Sequence, residues 1–337
     1  MLDLNHTDIN IIKQQNQNTP KKNKNDISTK KNSNDSNTNL TNSFAQRSKK
    51  ISSFYTTRES VKLIEMYGPE LYNSAKNFEE ILPEKNFLKH HKIHSQIRNK
   101  MIDWMVEVFD AYNSETQTFF LCVHYFDLYL SFYKNVLNDN NVHLLGIVCM
   151  FLASKIEDLC PFQMYHTKVK IGHDKFTEKE IKEKEKEILK IIQFKLITAT
   201  TYDFIKTYLY DLYVNNKEKI EELNITKHLD CLENIAVFIG KMMLLSDEFS
   251  SYNHSIKAIC CFILGFDILR SGSKTLNKEQ TLFIREWMLF LINEGKYTQE
   301  EISYLYNKAL DLYQKLEDNK QIFYSNNLKK THELYFY

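Results

Sequence analysis

Glycine and proline are scarce in this chain, with 7 and 4 copies among 337 residues. Tight turns and strand bulges draw on these two residues, so a many-stranded sheet is disfavoured and long helices joined by short polar loops are expected. No run of 18 apolar residues occurs and the first residues form no apolar leader; the expectation is a soluble chain, neither secreted nor membrane-spanning. Gly-x-Gly-x-x-Gly, a P-loop and a His-Arg-Asp loop are all missing. The chain is therefore not read as a kinase. The 6 cysteines, at 122, 149, 160, 231, 260 and 261, include no Cys-x-x-Cys pair. Most fall inside apolar runs, which reads as reduced core residues of an intracellular protein and no metal site.

What is present is a normal apolar fraction, 43%, on a chain long enough for two ordinary domains. The net charge of +1 divides into +5 over residues 1–50 and −4 over the rest. A slightly acidic remainder is a poor match for a phosphate backbone, so no nucleic-acid partner is expected. Residues 1–50 also hold eleven Asn and a single aromatic, Phe44. Such a segment buries too little apolar surface to offset its ordering entropy, and residues 1–57 are read as a disordered tail.

From Arg58 onward the signals are helical. Val61–Tyr67 forms a short amphipathic segment. Three Ser/Thr-x-x-Glu/Gln boxes mark helix starts: Ser114 to Gln117 before 119–132, Thr177 to Glu180 before 181–192, and Thr298 to Glu301 before 302–316. The segments 142–153 and 256–269 differ, because they are apolar on every side and belong at the centre of a bundle. Cys149 and Phe151 of the first recur as Cys260 and Phe262 of the second, and each segment follows an amphipathic helix, at 119–132 and 233–245. That repetition predicts an all-α chain built as a duplicated helical bundle.

Ile97-Arg98-Asn99-Lys100-Met101-Ile102-Asp103-Trp104-Met105-Val106-Glu107-Val108, followed by Ala153-Ser154-Lys155-Ile156-Glu157-Asp158, resembles the first conserved box of the cyclins. The likeness extends through Leu144–Lys155, Ile171–Thr177 and Glu185–Leu196, is strongest before residue 197, and is nearer the A/B branch of the family. It implies two five-helix boxes behind a short N-terminal helix: a first box over 58–196, a second over 197–318 and a C-terminal tail over 319–337. It also implies a binding subunit that is not itself an enzyme and holds no cofactor, and that forms a heterodimer with a cyclin-dependent protein kinase and activates it, in nucleus and cytoplasm. The same duplicated fold also serves TFIIB-like transcription-factor cores. Those call for a basic face and typically a zinc ribbon, which the acidic remainder and cysteine-free tail do not supply.

By position, the family's kinase-binding pair falls on Lys155 and Glu185, with Leu152, Ile156, Phe194 and Leu196 as apolar contacts. Physically, a lysine at the end of an apolar helix needs a carboxylate if a partner is to displace its water. Lys155 also fits simple snorkelling at a helix C-terminus, and Glu185 lies on a charge-rich face where solvated pairs are ordinary. The resemblance further places a docking groove for substrate or inhibitor peptides at Ile97, Met101, Trp104 and Glu107. Lys100 and His143 stand there as basic residues that work against an Arg-x-Leu peptide. Arg98 and Asp103 read as a structural ion pair. In the tail, Thr19-Pro20-Lys21-Lys22 fits phosphorylation of Thr19 by such a kinase, and Lys21-Lys22-Asn23-Lys24 resembles a minimal nuclear import signal.

Overall fold

The structure, a computed structural model, describes residues 74–77, 79, 81–271 and 276–317. The expected tails, Thr19, and the helix at 61–67 lie outside the described residues. Among the described residues there is no β-strand, only an isolated bridge between Lys92 and Asn138. Residues 74–77 are helical, and ten α-helices follow: α1 Ser95–Ala111, α2 Thr116–Phe132, α3 Asp139–Glu157, α4 Glu178–Ile191, α5 Thr201–Asn215, α6 Lys217–Glu222, α7 Thr226–Leu244, α8 His254–Ser271, α9 Lys278–Gly295 and α10 Gln299–Glu317. A π-helical turn, His166–Ile171, stands between α3 and α4 and is the fifth helical element of the first bundle.

Two helices are wrapped on all sides, as the apolar runs predict. α3 packs against α1, α2 and α4, and α8 packs against α5, α7, α9 and α10. Leu145 and every residue from Ile147 to Ala153 are at most 6% exposed, and Ile259 through Phe262 are fully covered. Each central helix therefore organises its own bundle, because a helix without a polar face finds no place at a surface. α1 comes unusually close to α3 at Gly146, where a Cβ would stand 2.0 Å from the Met101 Cε. No helix among the described residues is long and apolar enough to cross a membrane.

Local capping sets two of the three expected helix starts. Thr177 and Glu180 exchange hydrogen bonds at the head of α4, and Thr298 and Glu301 do the same at the head of α10. At α2 the expectation fails: Ser114 does not cap it, and Glu115 at the N-cap makes no side-chain bond. Asp158, from the far end of α3, instead accepts from the Glu115 N–H at 3.2 Å and the Thr118 hydroxyl at 2.6 Å. Boxes not foreseen open α3 at Asn138–Asn141, α5 at Thr200–Asp203 and α9 at Asn277–Gln280. Cys122, Cys149, Cys260 and Cys261 are buried thiols, whereas Cys160 is exposed and Cys231 half-buried.

The bundles meet across a polar seam. Arg98, fully buried, donates from Nε and Nη2 to the Asp127 carboxylate at 2.8 and 2.6 Å, and from Nη1 to the Leu244 carbonyl at 3.1 Å. Ser250 donates to the same carboxylate at 2.8 Å. The expected pairing of Arg98 with Asp103 is thus corrected to Asp127. Five residues on one helix are about 140° apart around its axis, so those two side chains leave on different faces. Beside this pair His124 and His254 face each other with ring nitrogens 3.3 Å apart, and Thr201 reaches the other His254 nitrogen at 3.1 Å.

Candidate functional site

The site grows from the way α3 ends. Ser154 donates to Asp158 at 2.7 Å and accepts the Phe162 N–H at 2.9 Å, so the chain leaving α3 is clamped within one turn. The next residue, Lys155, is thereby carried to the surface, its stem against the Phe151 ring with Nζ 4.2 Å from the ring centre. α4 is fixed to α2 through Glu187, which accepts from the Tyr129 hydroxyl at 2.7 Å and from Lys184 at 2.6 Å. That anchoring presents Glu185 to Lys155, and the two side chains form a direct ion pair, 35% and 16% exposed. Sequence position alone matched these residues; the structure brings them together.

Apolar residues follow the pair along the chain at the ends of α3 and α4. Ile156 is 41% exposed and Phe194 is 65% exposed, while Leu196 is half-buried. Leu152, expected on this surface, is 3% exposed and serves the core, because it lies on the wrapped side of α3. Two residues that sequence reasoning missed are more open than any it named: Leu159 is fully exposed and Ile197 is 72% exposed. Both follow helix ends, where no periodicity tells an inward from an outward side chain. Beyond α4, Gln193 and Phe194 take left-handed backbone conformations, φ 56° and 57°, and the Phe194 N–H bonds back to the Leu189 carbonyl at 2.8 Å. The Tyr125 hydroxyl holds the Leu196 carbonyl at 2.5 Å, which keeps this tail of α4 in place beneath its exposed side chains.

The expected groove sits on α1 and the start of α3. Met101 and Trp104 are 3% and 8% exposed, while Ile97, Lys100 and Glu107 are half-buried. His143 is 4% exposed, with its ring edge-on to both Trp104 and Phe176, 5.6 and 5.5 Å between ring centres. Burial, then the charges of Lys175 and His173, lower the His143 pKa to about 4. The expectation that His143 adds positive charge is therefore corrected: near neutral pH it is an uncharged ring within an aromatic row. Lys100 stays as the basic residue of the expected set.

Among the described residues no cluster of His, Cys, Asp or Glu is arranged to hold a metal ion. A sequence profile described as the cyclin N-terminal domain matches residues 70–197. Cyclin-A1-4 of Oryza sativa subsp. japonica is 29% identical over 191 residues, 57% of this chain and 50% of that protein. Cyclin-A2 of Xenopus laevis is 27% identical over 251 residues, 74% of this chain and 52% of that protein. The chain thus spans about half the length of these curated relatives. In fold, it is similar to a viral cyclin from Herpesvirus saimiri, with a TM-score of 0.50 over 72% of this chain and 98% of that one, at 17% identity. The first half of a duplicated bundle built on two wrapped helices thus matches the cyclin N-terminal domain over residues 70–197, and the chain is similar to A-type cyclins.

Proposed function

We propose that the chain is the regulatory subunit of a cyclin-dependent protein kinase, docking through the ends of α3 and α4 and controlling progress through the cell cycle. The observation that carries this reading is the Lys155–Glu185 ion pair, with Ile156, Leu159, Phe194 and Ile197 exposed at and just past the ends of α3 and α4. A charged pair already joined, with exposed apolar side chains at the same helix ends, is the arrangement a partner can cover without stranding a charge. The relatives being A-type cyclins supports the same partner class.

In this mechanism the chain performs no chemistry. Lys155 and Glu185 meet backbone groups at the end of a mobile kinase helix, and the exposed apolar residues at the ends of α3 and α4 give that helix a surface to rest on. Seated there, the kinase helix completes a phosphoryl-transfer site whose ATP and Mg²⁺ are held by the kinase. Docking peptides bind the Trp104 groove weakly in this reading, since Lys100 opposes a basic peptide. The tail at Thr19–Lys24 acts in nuclear import, with Thr19 as a phosphorylation site.

Breaking a desolvated pair by removing one partner costs about 3–5 kcal/mol, roughly two to four decades in affinity. The test is co-purification and histone-kinase activity of the Lys155→Ala and Glu185→Ala chains, with helix content checked by circular dichroism. Both are expected to lose kinase, and full activity in both would overturn the assignment.

A further inference from the structure

The second bundle carries a surface that the kinase reading leaves without a role. α9 is apolar on two opposite sides. Its inner side, Phe283, Ile284, Trp287 and Leu291, is buried. Its outer side carries Lys278, Leu282, Arg285 and Leu289, spaced by four, three and four residues, which puts all four on one stripe. Leu282 and Leu289 are 57% and 59% exposed. On one flank the stripe opens into a cleft of about 570 Å³ lined by Arg270, Leu276, Lys278, Thr281, Leu282 and Arg285. Among the described residues, three cations line that cleft and no carboxylate does, and none of the three forms an ion pair with a described residue. On the other flank stand Glu279 and Glu286, both exposed.

From this pattern we propose that the outer face of α9 is a docking site for an acidic, leucine-bearing helix of a partner protein. Two exposed leucines one heptad apart, beside cations at the bordering positions, form half of a helix-on-helix seam. The missing half is a helix with leucine at the matching heptad positions and Glu or Asp along the edge that meets Arg270, Lys278 and Arg285. The flanking Glu279 and Glu286 repel the acids of a helix laid the wrong way, so the charge pattern also sets orientation. An anionic bilayer fits less well, because those two glutamates and the narrowness of the stripe work against it. A second copy paired about a two-fold axis sets the same cations against each other. The chain's own residues 318–337, with three lysines against two acids, carry no acidic stripe.

The probe is a fluorescein-labelled, lactam-bridged helix with two leucines one heptad apart and glutamates along one edge, titrated into the full chain and followed by anisotropy. Saturable binding is expected. Lys278→Glu with Arg285→Glu should weaken it at least tenfold, as should Leu282→Ser with Leu289→Ser, and raising salt should weaken it further. Circular dichroism and kinase co-purification of both variants should match the parent, which separates this site from the α3–α4 surface; a variant with altered dichroism is replaced by Arg270→Glu, expected to weaken binding several-fold. Absence of saturable binding to the parent overturns the proposal, as does equal binding of a probe whose leucines are replaced by alanine, undiminished binding to the charge or leucine variants, or chain that sediments with phosphatidylserine vesicles while ignoring the probe.

Discussion

Gln193 and Phe194 stand side by side in the left-handed region, where an L-residue with a side chain is strained by about 1–3 kcal/mol. At Phe194 that strain accompanies a side chain 65% open to solvent, so the residue gives the fold little in return. Gln193→Gly should raise stability by up to about 1 kcal/mol, because glycine enters this region freely. Phe194→Gly should give a similar gain together with weaker retention of the kinase. Urea midpoints and co-purification on the same preparations check both, and a Phe194→Gly chain that retains kinase fully removes Phe194 from the contact. At this scale the sequence was readable where a motif fixes position, as for Lys155 and Glu185, and unreadable where a partner is chosen across the fold. Arg98 finds Asp127 on another helix, and nothing in local spacing announces that.

Between α1 and α3, the Met101 side chain packs directly onto Gly146. A side chain there would press on Met101 Cε, Cγ and Sδ, all within 2.9 Å of the position a Cβ would take. Gly146→Val should therefore lower stability by about 1–3 kcal/mol through overpacking, and adding Met101→Ala should recover part of that loss by making room. Thermal or urea unfolding of the two chains decides it: equal stability of the single and double variants would mean that Met101 is not what the valine strikes. The contact also explains why some elements were legible and others were not. Helices α3 and α8 declare themselves because all-round apolarity has one physical solution. The Thr177 and Thr298 caps do so because donor and acceptor lie three residues apart. The start of α2 does not, since its cap, Asp158, is more than forty residues further along the chain.

For the molecule as a whole, the two histidines of the seam between bundles add to the acid sensitivity that buried His143 also brings. Burial, then the charge of Lys257, holds the His124 pKa down at about 3; burial, Lys257 and His124 hold His254 well below its ordinary value. Both rings thus stay neutral when folded, facing Thr201 on α5 and Lys257 on α8, with Asp127 and Glu79 also close to Lys257. Unfolded, each takes a proton near 6.5, so between about pH 6.5 and 3 the unfolded chain binds more protons and stability falls as pH drops. The slope should reach about 1.4 kcal/mol per pH unit for each histidine. Urea midpoints from pH 7 to pH 5 should fall steeply in the parent and less in His124→Leu with His254→Leu. Parallel curves would assign the acid loss to other groups.

Arg98 clasps Asp127 with one edge of its guanidinium and the Leu244 carbonyl with the other, 146 residues further along the chain. On a ribosome adding about 5–20 residues per second, that carbonyl is made some 7–30 s after the arginine. Until then the first bundle, complete in its helices, holds a guanidinium whose last donor has no acceptor and a seam still open to water. Its final closure waits for the end of α7, and a chain released before that helix is finished leaves the clasp half made.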